Sequence, residues 1–208
     1  MRATTGVKGL DKFLDGGFNQ NTVVMVTGIK RARDVYALQF LGNGVYISTE
    51  AVEDVSRRIS EMELKTKIHF IAAGSGKPMK NTMLVESLAS LEDISMGISE
   101  LTKRIGKPRV VINLLSTLTL YNELERIVKF VQTTIDRCKS IGVPLALVVD
   151  EEMHTKKEFE TLKELCNVVV NFVKTESGEF VQVTDDCPPS LLEFRIDRRG
   201  IILEEEFL

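Results

Sequence analysis

Two hydrophobic periods alternate along this chain, and that alternation limits the fold more than any single motif does. Short β-rich runs stand at Thr22–Thr27 (TVVMVT), Gly44–Thr49 (GVYIST), Lys67–Ala72 (KIHFIA), Arg109–Leu115 (RVVINLL) and Pro144–Val149 (PLALVV). Most lack strict polar/apolar alternation. Continuous apolar runs of this length fit strands covered on both faces, as in a parallel sheet. Helical stripes lie between the runs. Val52, Val55, Ile59 and Met62 form one; Leu91, Ile94, Ile98, Leu101 and Ile105 a second; Leu124, Val128, Val131, Ile135 and Cys138 a third. Each follows mixed +3/+4 spacing, which puts one apolar face on a helix. Gly106 before Pro108 and Gly142 before Pro144 mark helix stops followed by strand entry. Strand–helix alternation of this kind predicts βαβ units with right-handed crossovers.

The character changes after residue 167. Val168–Thr175 and Glu179–Thr184 flank Glu-Ser-Gly, and Leu191–Ile196 and Ile201–Glu205 flank Asp-Arg-Arg-Gly. Both are hairpin signals, so the sheet is expected to end in antiparallel strands over 167–208. No linker separates them, and 208 residues suit one domain. With 27 Lys+Arg against 30 Asp+Glu, the charge argues against bulk attraction to nucleic acid. The longest apolar runs fall well short of the roughly 18 residues a membrane helix needs, so no membrane partner is expected. The first residues lack the apolar stretch of a secretory signal. Cys138, Cys166 and Cys187 are an odd number at unrelated spacings, which reads as reduced thiols in a cytoplasmic protein without a zinc site.

The segment Thr4–Gly28 (TTGVKGLDKFLDGGFNQNTVVMVTG) resembles the entry to a RecA-type ATPase domain of the KaiC-like branch, which is also similar to RadA-type recombinase paralogues. That family opens with T-G-x-x-G-L-D-x-x-L-x-G-G. Thr5, Gly6, Gly9, Leu10, Asp11, Leu14, Gly16 and Gly17 fall in place. The physical sense of the stretch is legible by itself. Leu10, Phe13 and Leu14 form a short apolar helix face, Gly16-Gly17 stops it, and Asn21 suits a left-handed turn. Tyr46–Glu50 looks like the family's second strand with its terminal glutamate. Val110–Ser116 resembles the strand that carries a magnesium-binding aspartate, Val143–Val149 the next strand, and Phe194–Leu203 the terminal hairpin. The resemblance implies a single RecA-like P-loop NTPase fold over residues 1–208, a three-layer αβα with a mostly parallel sheet and an entry segment at 1–20.

The phosphate loop of that fold reads G-x-x-x-x-G-K-[ST], in which glycines admit backbone N–H groups, the lysine meets the β/γ charge and the hydroxyl holds magnesium. The matching positions here are Gly28, Ile29, Lys30, Arg31, Ala32, Arg33, Asp34 and Val35. Arg33 replaces the second glycine, Asp34 the lysine and Val35 the hydroxyl. Asn113 stands at the magnesium aspartate, and a neutral amide is a poorer ligand for a hard cation. Glu50 is retained at the water-activating position, but Ala51 follows where a second carboxylate is frequent. No catalytic residue, metal or cofactor is therefore expected. A helix over about Asp34–Leu41, capped by Asp34, is expected after the loop. Lys30, Arg31 and Arg33 then read as a solvated basic loop, as a relic anion site or as a contact for an acidic partner. Gly74-Ser75-Gly76-Lys77 looks like a phosphate-loop fragment, but Ile71 and Pro78 break the motif and a turn is expected. His69 and His154 have no ligand spacing around them, and no serine sits in a nucleophile elbow.

These residues imply a non-catalytic relative that acts by binding, through self-association or pairing with a related active ATPase. Two alternatives are an ATPase with an unusual site and a nucleic-acid-binding recombinase paralogue. The latter would use the loops Ser116–Asn122 and Asp150–Lys157, where only Lys156 and Lys157 are basic.

Overall fold

A computed structural model of the chain describes residues 2–64, 66–74, 80–184 and 190–203. The entry segment folds on its own short-range bonds. β1 (Arg2–Ala3) pairs antiparallel with β2 (Phe18–Asn19) across α1 (Lys8–Phe13). The Asp11 carboxylate closes the turn before α1. It accepts from the Thr5 amide at 2.5 Å and from the Thr4 hydroxyl. Gly17 has φ +101° and passes so close to Ala3 that a Cβ would lie 2.2 Å from its carbonyl oxygen. The T-G-x-x-G-L-D-x-x-L-x-G-G stretch thus has a packing reason at these positions. Asn21 takes the expected left-handed turn, with φ +68°.

The chain continues as β3 (Val23–Gly28), α2 (Lys30–Leu41), β4 (Asn43–Ser48), α3 (Val52–Glu61), β5 (Lys67–Ala73), β6 (Thr82–Val85) and α4 (Leu91–Ile105). Then come β7 (Arg109–Asn113), α5 (Leu115–Leu118), α6 (Leu124–Ile141), β8 (Leu145–Val148), α7 (Lys156–Lys163), β9 (Val168–Lys174), β10 (Glu179–Thr184), β11 (Ser190–Asp197) and β12 (Gly200–Leu203). β3 to β12 make one ten-stranded sheet in the order β12-β11-β10-β9-β3-β8-β7-β4-β5-β6. Pairings from β9 across to β6 are parallel, and those from β9 to β12 are antiparallel. This is the expected RecA-like architecture.

Two cores explain the continuous apolar strands. Val24 and Val26 face one way, into a core with Leu10, Val35, Tyr36, Phe40, Val52 and Phe172. Val23 and Met25 face the other way, into a core with Ile94, Ile98, Leu101, Val131 and Leu162. Helices α1 to α3 cover one face and α4 to α7 the other, so both sides of the central strands are dry.

The structure departs from the sequence reading in several places. α2 begins at Lys30, four residues before the expected start, and runs for 12 residues. The buried stripe of α6 is Ile127, Phe130, Val131, Thr134, Ile135 and Cys138, while Leu124 and Val128 are only half-buried. Val131, Ile135 and Cys138 are buried as expected, and only in the first turns does packing favour Ile127 and Phe130 instead. β7 ends at Asn113, because Leu115 already belongs to α5. The sequence reading assigned no element to edge strand β6 or to helix α7, whose first two residues fall in the expected loop Asp150–Lys157. α7 has a local cause: Thr155 and Glu158 form a capping box. Gly74 takes φ +83°. Ser75–Lys77, Cys187 and the acidic run 204–206 lie outside the described residues.

Candidate functional site

β3, β8, β7 and β4 are consecutive neighbours, so their C-terminal ends share one sheet edge. In open α/β sheets this edge is where ligands bind. Gly28, Glu50, Asn113 and Asp150 all fall there, as their positions at or just beyond strand ends dictate. A cavity of about 130 Å³ opens among Lys30, Arg33, Glu50, Asn113, Ser116 and Asp150. A larger open hollow, about 410 Å³, lies beside the Thr119–Leu124 turn and is lined by none of those groups.

The loop positions are mostly helix. Ile29 is the residue before α2, its N–H donates to the Phe172 carbonyl at 2.8 Å, and its own carbonyl accepts from the Arg33 N–H at 3.0 Å. The stretch that would wrap a phosphate therefore forms the first turn of the helix. The surviving glycine has a different reason to be glycine. Gly28 has φ +90°, and a Cβ there would meet the Phe172 carbonyl oxygen at 2.0 Å. The close approach is to β9, within the sheet.

The basic cluster is divided. Lys30 and Arg31 are exposed, but Arg33 is 5% exposed and lies under the helix. Its guanidinium donates to the Asp150 carboxylate at 2.5 Å and to the Val149 carbonyl at 3.5 Å. The solvated-loop reading fails for Arg33, because the helical turn aims it at β8. Asp34, also 5% exposed, does not cap α2. It lies 3.5 Å from the Lys30 ammonium and 3.6 Å from the Arg58 guanidinium of α3. Arg58 also pairs with Glu50. Asn113 donates to the Tyr46 hydroxyl at 2.6 Å and to Glu50 at 3.4 Å. Burial, and then the Glu50 charge, hold the Tyr46 phenol far above its ordinary range, so it stays protonated. Val35 is buried in the core.

Lys30, Arg33 and Arg58 thus stand against Asp34, Glu50 and Asp150, and the site neutralises itself. Magnesium-ATP does not fit these residues. The lysine slot holds a carboxylate already bridged to two cations, and the hydroxyl slot holds a buried valine. The magnesium slot holds an amide that donates its protons to oxygens. The cavity is also below the roughly 300 Å³ at which small-molecule pockets begin. Among the described residues, no group of three or more His, Cys, Asp or Glu side chains could hold a metal. Burial pushes the Cys138 and Cys166 thiols up to about 12, so neither is a nucleophile.

Asp150 and His154 were not legible as site residues, because Arg33 and Ser116, which they meet, lie 117 and 38 residues away, and Arg58 reaches the site only because α3 packs beside α2. The usable signal was topological: Ser116 and Asp150 follow strands that pair in the sheet. Asp150 has a measurable consequence. Its carboxyl sits below the ordinary 3.8, chiefly through the Arg33 hydrogen bond and against the opposing effect of burial. A depressed folded-state pKa contributes stability that is complete above about pH 4 and disappears as pH falls through the folded value. Asp150→Asn is expected to be less stable than the parent in urea at pH 6, with the gap closing as the pH falls below the ordinary carboxylate value. A gap that does not change with pH would remove the Arg33–Asp150 bond from the account.

Comparison with known proteins agrees with the fold. A family model described as "ATPase: KaiC" matches residues 3–185. Among solved structures, the chain is similar to a KaiC-like protein from the hyperthermophilic archaeon Pyrococcus horikoshii OT3. The TM-score is 0.73 at 18% identity, covering 98% of this chain and 99% of that one. At that identity the likeness speaks for the fold. No curated protein matches this sequence. Among the described residues, no helix is long and apolar enough to cross a membrane.

Proposed function

Because this chain belongs to the KaiC ATPase family, we propose that it is a member that works by binding, without hydrolysing nucleotide. Its role is regulatory, exerted on a second copy of itself or on a related active ATPase. One observation carries the reading: the Asp34 carboxylate occupies the phosphate-binding lysine's place and holds Lys30 and Arg58 as a bound phosphate would. The anion this site wants is part of the protein. A triphosphate would have to displace it and meet a buried negative charge at the β/γ position. At about 4 Å and a surface-like dielectric such a pair repels by about 4 kcal/mol.

The surface around the edge suits a protein contact. Leu120, Tyr121 and Met153 remain exposed on the segments that follow β7 and β8. Large apolar side chains exposed on segments at one end of a sheet favour a partner.

Titration calorimetry with ATP and magnesium is expected to give no saturable heat, and phosphate release no rate above buffer. Saturable binding, with hydrolysis that Glu50→Gln abolishes, would overturn the reading. The regulatory half has its own test. Sedimentation is expected to show self-association, or capture from cells to recover a related ATPase; a monomer that recovers none would remove it.

A further inference from the structure

Ser116 and His154 form a pair that the binding role leaves unused. The Ser116 hydroxyl lies 2.8 Å from His154 Nε2, and the Asp150 backbone N–H donates to the same oxygen at 2.8 Å. An N–H can only donate, so it takes one lone pair of Oγ. In the tautomer that carries its proton on Nδ1, Nε2 accepts the hydroxyl proton of Ser116. One lone pair of Oγ stays free. Burial holds His154 below its ordinary 6.5, against the raising influence of Glu158 and Asp150, so the ring is neutral near pH 7 and able to accept a proton.

Ser116 also borders the cavity at the sheet edge. Leu114, Leu115, Val148 and Met153 supply apolar wall, and Lys30 and Asn113 supply polar groups. Its volume of about 130 Å³ is that of a few water molecules, at roughly 30 Å³ each. That space suits an acyl group of a few carbons.

We propose that Ser116 is a nucleophile activated by His154, accepting short acyl groups from activated esters or thioesters. Oγ bonds to the carbonyl carbon as its proton passes to Nε2. The alcohol or thiol leaves with that proton. Water, giving a proton to the same nitrogen, then attacks the acyl-serine, and the carboxylic acid departs as the proton returns to Oγ. Among the described residues, no carboxylate orients the ring. Nδ1 is buried without a partner, Asp150 is held by Arg33, and the Glu158 carboxylate accepts from Thr155 at 2.8 and 2.9 Å. The pair is a dyad, and its turnover is slow beside that of a full triad.

The test is covalent. The full chain is incubated with an alkyl fluorophosphonate, which transfers its phosphonyl group to an activated serine with loss of fluoride, and the adduct is located by peptide mapping. A single adduct on Ser116 is expected. Ser116→Ala should remove both the adduct and hydrolysis of p-nitrophenyl acetate, and His154→Gln should slow labelling about 100-fold. The labelling rate should rise with pH and level off below pH 6.5, once the imidazole is neutral. An adduct no greater than in heat-denatured protein, an adduct elsewhere, or a rate that ignores His154→Gln overturns the proposal. Mapping on the unaltered chain decides the question even if a variant does not fold.

Discussion

Gly28→Ala is expected to lower stability by roughly 4 kcal/mol, among the largest effects of any single substitution in the chain. Two costs combine. The backbone at φ +90° disfavours any L side chain, a strain of about 1–3 kcal/mol. The new methyl would also fall 2.0 Å from the Phe172 carbonyl oxygen and 2.6 Å from the Asn171 amide oxygen, so β3 and β9 must separate. The Ile29 N–H bond to Phe172, at 2.8 Å, goes with them. For a domain of this size the loss corresponds to about 10 °C in melting temperature, which circular dichroism will read. The result separates two explanations of one residue. Alanine at a glycine kept for phosphate alone would cost only the backbone strain, about 1–3 kcal/mol. At a glycine kept for strand approach it would also force β3 and β9 apart.

Asp34→Lys restores the side chain that a phosphate loop carries, and it is expected to destabilise without conferring nucleotide binding. The lysine would enter a site 7% exposed, with Arg58 and Lys30 already within 4 Å of the carboxylate it replaces. Attraction becomes repulsion. The effect is moderated because the Lys30 side chain is 75% exposed and Arg58 29% exposed, so both can turn towards water. About 3 kcal/mol is the expected loss, between the value of an exposed pair and that of a fully buried one. Urea denaturation measures it, and calorimetry with ATP and magnesium should stay flat. If the variant keeps the parent's stability and gains saturable ATP binding, the self-neutralised site is wrong. The first turn of α2 is then a phosphate loop awaiting one residue.

These outcomes bear on what was legible before the structure. The parallel core could be read from continuous apolar runs, because a strand buried on both faces leaves no alternation to obscure it. Both C-terminal hairpins could be read from turn chemistry between β-rich runs. The entry motif was legible by resemblance, and Asp11 and Gly17 now carry physical reasons of their own. The α6 stripe was legible at Val131, Ile135 and Cys138, while in its first turns packing buries Ile127 and Phe130 ahead of Leu124 and Val128, a choice that local spacing cannot make. Edge strand β6 was missed because it is short and half-covered, with a weak hydrophobic signal.

At the candidate site, the sequence by itself determined the charges. It set an acid at the lysine position, valine at the hydroxyl position and an amide at the magnesium position, and it ordered them along strands that end together. Only the tertiary structure decided what those charges do. Lys30 to Arg33 became helix because β9 takes the Ile29 N–H, and that turn buries Arg33 against Asp150 and leaves Lys30 in water. Asp34 meets Arg58 because α3 packs beside α2, and Ser116 meets His154 because β7 and β8 are neighbours. Composition and local propensity act over a few residues. Ion pairs and hydrogen bonds at a sheet edge depend on which strands lie side by side, and long-range burial settles that.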